Sequence, residues 1–210
     1  MANKLPAHLS ASLPAHLQNN TEAPMGNDQV TSDDIQIPRI KILHQLSPEC
    51  EDGGPQHVEG AKAGQYLNTV TNETYDDLMV VNVSFERQFV AFRKRTAGGG
   101  LVGTYASEAE AIEDINNNAE EDIDKVDINE SIRHALLLLD SDGNVVSPAT
   151  MDLTGSRLSV SRNWNSNILM KCGDNLDRFA IVWKLGAKRM KNSKGTWHNP
   201  TFDFAGYCDE

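Results

Sequence analysis

The chain has 210 residues, a formal net charge of −11 and a hydrophobic share of 39%. That length holds one ordinary domain with tails or two small ones, and the acidic total excludes a protein that coats duplex DNA by bulk charge. No run approaches the roughly 18 apolar residues of a membrane span, and the start lacks the charged and long apolar runs of a signal peptide, so a soluble intracellular protein is expected.

Residues 1–34 are rich in Asn, Ala, Pro and Ser and read as a disordered tail. The tail contains one exact duplication, Leu5-Pro6-Ala7-His8-Leu9 and Leu13-Pro14-Ala15-His16-Leu17. Two copies this close build no repeat fold. They read either as a docking motif presented twice, for phage or host replication proteins, or as low-complexity drift. From Ile35 to Leu43 apolar and polar residues alternate as in a half-buried strand, which Pro38 restricts to an edge or an extended arm. A short strand is expected over 64–70. Met79, Val81, Val83 and Phe85 then fall on one face of a second strand, and 89–95 reads as its hairpin partner after a turn near Glu86 and Arg87.

Residues 97–103 are Gly-rich without a following Gly-Lys-Ser/Thr, so they form no phosphate loop and read as a linker or a mobile lip. Residues 107–130 hold ten acids against Lys125 alone. Ala109, Ile112 and Ile115 suggest one short helix there, and the rest reads as a solvated insertion, a partner-binding patch or a DNA-mimicking mask. The run Ala135–Leu139 is a buried strand, and Asp140 to Asn144 is a hairpin turn leading to Val145. Apolar residues recur at helical spacing from Ser156 to Met170, with Gly173 as a stop. Phe179, Ile181, Trp183 and Leu185 give a long strand one apolar face. A final strand sets Phe202 and Phe204 against Trp197, Asn199 and Thr201 on the other.

The expected fold is mainly β with one or two helices: an OB-like small antiparallel barrel over 35–206, with an acidic insertion at about 104–131 and a short acidic C-terminal tail at 207–210. A two-layer α+β sandwich would give a similar string. The cysteines, Cys50, Cys172 and Cys208, are far apart and read as reduced thiols rather than a disulfide framework or zinc site.

No catalytic set is present: there is no H-E-x-x-H, no G-x-S-x-G and no phosphate loop, so no enzyme and no cofactor or metal is expected. Asp76-Asp77 and Asp140/Asp142 would be the ligands of a metal-dependent nuclease, the weakest reading. The stretch from Arg157 to Lys194 stands out instead, with nine basic residues against two acidic ones in an acidic chain. Single-strand binding needs a cationic track for phosphates and flat rings for unpaired bases. Phe89, Phe92, Arg93, Lys94 and Arg95 form one such cluster. Lys184, Lys188, Arg189, Lys191, Lys194 and Trp197 form another at a strand–turn–strand corner, with Arg162 on the helix before it. Trp164 and Trp183 read as core and Trp197 as a candidate stacking ring.

Three segments carry a resemblance: Ile37–Leu43 leading into Ala63-Gly64-Gln65-Tyr66-Leu67-Asn68, then Ser159-Val160-Ser161-Arg162-Asn163-Trp164-Asn165-Ser166, and Asn192-Ser193-Lys194-Gly195-Thr196-Trp197. Together they resemble a group of tailed-bacteriophage proteins described as single-stranded DNA-binding. The resemblance implies an OB-like barrel, a role in replication or recombination, and a place in the cytoplasm of the infected bacterial host. Proteins of this class often end in an acidic tail with a terminal aromatic residue; Tyr207-Cys208-Asp209-Glu210 departs from that pattern. The alternative function is a phage protein-interaction factor, a virion component or an inhibitor of a host enzyme or defence, acting through 107–130. The sequence leaves the oligomeric state open, a homodimer included.

Overall fold

The computed structural model describes residues 29–31, 34–193 and 195–208. The chain divides into two compact units, Met1–Gln36 and Ile37–Glu210. In the first, the Asp34 carboxylate accepts from the backbone N–H (2.9 Å) and the hydroxyl (2.8 Å) of Thr31, and these bonds hold its pKa below the usual carboxylate range. The rest of the expected tail, with both Leu-Pro-Ala-His-Leu copies, lies outside the described residues, as do Lys194, Asp209 and Glu210.

The second unit is mainly β with two helices. Strands β1 (Ile40–Ile42), β2 (Tyr66–Asn68) and β3 (Thr74–Tyr75) form a small antiparallel sheet. The larger sheet contains β4 (Leu78–Arg93), β5 (Leu101–Tyr105), β6 (Val126–Leu139), β7 (Val145–Thr154), β8 (Ile181–Asn192) and β9 (Gly195–Tyr207). Its order is β7-β6-β4-β8-β9, with β5 on the distal half of β4. The edge strands β7 and β9 do not pair with each other, so the small antiparallel architecture stays open instead of closing into a barrel. One parallel bridge, Arg39 to Thr150, ties the start of the small sheet to β7, with the Thr150 N–H donating to the Pro38 carbonyl at 2.8 Å.

Strand β4 differs most from expectation. The turn expected at Glu86 and Arg87 is absent, and 78–93 is one strand paired with β6 along nearly all its length. The register slips between Asn82 and Ser84, where Val83 is the extra residue of a bulge. A bulge inverts the alternation beyond it. Met79, Val81 and Val83 therefore line the open face of the sheet, beside Leu137 and Leu139, while Phe85 turns to the opposite face, its ring 5.7 Å from that of His134. The polar run Ser84 to Gln88, which suggested a turn, is the stretch just past the bulge.

The acidic segment is largely ordered. Helix α1 (Glu108–Asn117) starts at Ser107, whose hydroxyl accepts from the Glu110 N–H at 3.1 Å while the Glu110 carboxylate accepts from the Ala106 N–H at 3.0 Å. The first bond satisfies a first-turn donor, the second holds the residue before the cap, and the acids of the first turn suit the positive end of the helix. Ala111 and Ile115, not Ala109 and Ile112, face the sheet, packing with Ala91 and Val126. Residues 126–130, expected in the insertion, are already part of β6.

Helix α2 (Leu158–Cys172) stops at Gly173, whose φ of +56° suits glycine. It buries Ser161, Trp164, Ile168 and Cys172, a stripe at helical spacing, against the larger sheet. Trp164 stacks on Phe202 of β9 with centroids 3.8 Å apart and planes 4° apart, and meets Trp183 of β8 edge-on at 6.2 Å. Trp164 and Trp183 are thus core residues, as expected, while Phe179 lies outside β8 and is exposed.

A polar network is sealed under this cluster. Arg178 donates to Asn82 Oδ1 and to Asn165 Oδ1, each at 2.7 Å. Asn82 therefore turns its amide nitrogen toward His134 Nδ1, 3.0 Å away, so Nδ1 accepts and Nε2–H donates to the Ser161 hydroxyl at 2.8 Å. Burial, reinforced by the Arg178 charge, pushes the His134 pKa down to about 4. The unfolded chain takes up this proton near pH 6.5 and the native one near 4, so the contribution is complete above pH 6.5 and is lost as pH falls toward 4. At pH 4.5 the loss is about 2–3 kcal/mol. Urea unfolding at pH 7 and pH 4.5 should show this difference in the wild type and a smaller one in His134→Gln; equal differences would remove His134 as its source.

Candidate nucleic-acid interface

The basic and aromatic residues expected to bind DNA fall in three places. Phe89, Phe92, Arg93, Lys94 and Arg95 lie at the far end of β4. Arg162 is exposed on α2. Lys184, Lys188, Arg189, Lys191 and Trp197 lie on the β8–β9 hairpin, and Lys194 is outside the described residues. Strand β8 pairs with the start of β4 and runs antiparallel to it. The hairpin and the Arg93 cluster therefore occupy opposite ends of a strand of 16 residues, on the order of 40 Å apart along it.

At the Arg93 end two of the three cations, Arg93 and Lys94, are already answered, and Arg95 has no ion-pair or side-chain hydrogen-bond partner among the described residues. Arg93 Nε donates to both oxygens of Glu121, at 2.9 and 3.0 Å, and this pairing raises the guanidinium pKa. The Glu121 side chain is only 5% exposed. The Lys94 ammonium donates to the Asp124 carbonyl at 2.8 Å and sits 3.9 Å from Asp127. Phe89 is half-buried opposite Glu130 and Tyr105, and Phe92 is exposed on the open face beside Leu101. Arg95 is exposed in a 3-10 turn. The acidic segment closes over this end, and no residue pattern marks in advance which cations it pairs with.

The hairpin is different. Strand β4 covers β8 only over Val182 to Leu185, whereas β8 and β9 stay paired out to Asn192 and Gly195. The two strands thus run on as a ribbon. Cross-strand partners share a face: Met190 with Trp197 and Lys188 with Asn199 on one, Arg189 with His198 and Lys191 with Thr196 on the other. Trp197 is half-buried, its indole N–H donating to Asn199 Oδ1 at 3.1 Å, which fixes the ring along the ribbon. Lys184, nearer the sheet, pairs with Asp77 at 3.0 Å. Among the described residues, Lys188, Arg189, Lys191 and Arg162 have no ion-pair or side-chain hydrogen-bond partner.

The other face of the ribbon is backed by the loop after β1. The His198 ring lies against Gly64, where an added Cβ would come within 3.2 Å of the imidazole, and the rings of His198 and His44 are stacked with centroids 6.4 Å apart. The carboxylates weighed as metal ligands are engaged elsewhere. Asp77 holds Lys184, Asp76 accepts from Gln65 at 3.0 Å, and Asp140 accepts backbone bonds from Asp142 and Asn144 in the hairpin turn.

Comparison with known protein families adds one match, to the model of the Pam3 phage gp34-like protein family over residues 7–210. The chain belongs to that family. It is a phage protein family, in keeping with the resemblance drawn from the motifs, and its description says nothing of DNA. No curated protein and no solved structure matches the chain. Among the described residues no helix is long and apolar enough to cross a membrane, and no cluster of three or more His, Cys, Asp or Glu side chains forms a metal site.

Stability should separate the two ends. Lys188→Ala with Arg189→Ala leaves thermal unfolding free energy within about 0.5 kcal/mol of wild type, because the ribbon charges hold nothing in place. Glu121→Ala costs about 1–2 kcal/mol, because it strips the partners from Arg93. Thermal melts of both variants at one protein concentration check this.

Proposed function

We propose that this phage protein binds single-stranded DNA without catalysing a reaction, and supports replication or recombination in the cytoplasm of the infected host. The observation behind it is the β8–β9 ribbon, where Lys188 shares a face with the fixed ring of Trp197, Arg189 and Lys191 stand on the opposite face, and none of the three has a carboxylate partner among the described residues. A single strand needs both groups: cations spaced along its backbone and a flat apolar face for a base that has lost its neighbour. A two-stranded ribbon supplies cations at regular spacing on both of its faces. Lys184, Arg93 and Lys94 contribute less, because each is already held by a carboxylate or a carbonyl.

A second reading, protein interaction through the acidic segment, rests on α1. Its packing face is only Ala111 and Ile115, and Glu108, Glu110, Glu113 and Asp114 are exposed. Glu108→Gln with Glu113→Gln should leave DNA binding unchanged, and loss of DNA binding in that variant would join the two surfaces.

Fluorescence anisotropy with labelled oligo(dT) at two salt concentrations tests the main reading. With ~3–4 phosphates neutralised, log K should fall against log salt with a slope of about −2 to −3. Trp197→Ala should weaken binding by about 1–3 kcal/mol with the slope unchanged, as a lost stacking ring would. No binding at low salt removes the reading.

A further inference from the structure

One cation in the core-side crevice next to the ribbon has no counter-charge. Arg157, the residue before α2, is half-buried, and among the described residues no carboxylate, carbonyl or hydroxyl bonds to its guanidinium. Its crevice, about 210 Å³, is walled by β1, β7 and Pro200 of β9. Arg39, Lys41, Asp152 and Thr154 share it. Two of these cations are answered: Arg39 lies 3.1 Å from Asp152, which also accepts from Arg133, and Lys41 is paired with Glu49. The uncompensated charge is Arg157. Thr154 makes no capping bond with its side chain and stands in the same crevice.

A half-buried guanidinium loses hydration and here gains no partner in return, a costly arrangement for a structural residue. Burial shifts the Arg157 pKa downward with no opposing carboxylate. Its charge is felt at His44, whose own pKa is lowered by burial first, then by Arg157 and His198. His44 Nδ1 in turn faces the His198 N–H at 3.4 Å. The crevice meets the root of the ribbon at Pro200 of β9, which pairs with Ala187 of β8. A guanidinium fork presents paired donors that match the oxygens of a phosphate.

We propose that this crevice binds a phosphate group through the free guanidinium of Arg157, with Thr154 as a second donor. Phosphate reaches it either as a free ion or as part of a nucleic-acid backbone running on from the ribbon. The backbone source rests on the proposed function; the phosphate site itself does not.

The test uses the full chain with two probes. In the first, thermal melts compare inorganic phosphate with chloride at matched ionic strength, for wild type, Arg157→Gln and Arg157→Lys. The expected result is a melting temperature raised by phosphate in the wild type, less in Arg157→Lys and not in Arg157→Gln. Arg157→Gln in chloride should melt at or above wild type, because it removes an unanswered buried charge. A structural arginine would do the reverse, so an Arg157→Gln protein that melts lower in chloride, together with a wild type indifferent to phosphate, overturns the proposal. In the second, oligo(dT) titrations should show affinity lowered on the order of tenfold by Arg157→Gln, with the salt slope shallower by about 0.7, the share of one backbone phosphate on a single strand. A phosphate response without any oligo(dT) binding by wild type supports the site with the free ion as ligand and ends the single-strand reading alone. Oligo(dT) binding that Arg157→Gln leaves intact, with no phosphate response, overturns the site and spares that reading.

Discussion

The stacking of Trp164 on Phe202 decides where the rest of the second unit lies. The ring on α2 sits face to face with β9 at 3.8 Å, edge-on to Trp183 of β8, and 4.7 Å from the His134 ring of β6. One side chain thus registers the helix against three strands, two of which lead into the ribbon. Its indole N–H and that of Trp183 are buried without acceptors. Leaving such a donor unmet costs about 1–3 kcal/mol, and burying a ring of this size returns about as much or more. With Trp183 and Phe202 clamped, Gly186 marks the end of the core. The Tyr66 hydroxyl donates to its carbonyl at 2.6 Å, and an added Cβ there would meet the Thr201 hydroxyl at 2.9 Å. Beyond that point β8 and β9 are held mainly by each other.

The same helix ties the core to the polar network. Ser161, one turn before Trp164, receives the His134 Nε2–H, and Asn165, one residue after it, receives Arg178. The Val83 bulge adds Phe85 to this side. With unbroken alternation Phe85 would have shared the open face with Met79 and Val81; the extra residue turns it to the side where His134 and Arg178 lie, the guanidinium 5.9 Å from its ring centroid. The bulge also leaves Met79, Val81 and Val83 on the open face with Leu137, Leu139 and Val182, as the lining of a groove of about 810 Å³.

Much of this was readable in the residues. The Asp140 to Asn144 turn, the stripe on α2 with its Gly173 stop, and the alternation of Ile181, Trp183 and Leu185 each depend on a local rule, and each appears where that rule puts it. What was not readable depends on contacts distant in the chain. A bulge leaves no mark in a hydrophobic pattern beyond breaking it, so one strand looked like two at Glu86 and Arg87. The short helix expected in 107–130 is there, but its seating face was not readable, because only Ala111 and Ile115 need to be apolar to hold it. The basic clusters at 93–95 and 184–197 looked alike in composition, yet Glu121, 28 residues away, answers Arg93 and Asp124 and Asp127 hold Lys94, whereas nothing described answers Lys188, Arg189 or Lys191. Arg157 carried no separate signal. Its interest comes from where β1, β7 and β9 converge.

Charge placement explains why an acidic protein can keep a cationic edge. Fixed charges act over about a Debye length, 8–10 Å at ordinary salt, whereas α1 and the ribbon sit at opposite ends of β4, on the order of 40 Å apart along the strand. A loose acidic loop of the same composition would have reach enough to fold back and mask the ribbon. Here the segment is pinned at one end by the Ser107 cap, in the middle by Ala111 and Ile115 on Ala91, and at the other end by Glu121 on Arg93 and by the Lys94 N–H on the Lys125 carbonyl. So tethered, it neutralises the end of β4 that it covers and leaves the ribbon's field intact. The net charge of −11 therefore averages over surfaces that do not screen one another, and the sign that a strand of DNA would meet is set by the nearest one.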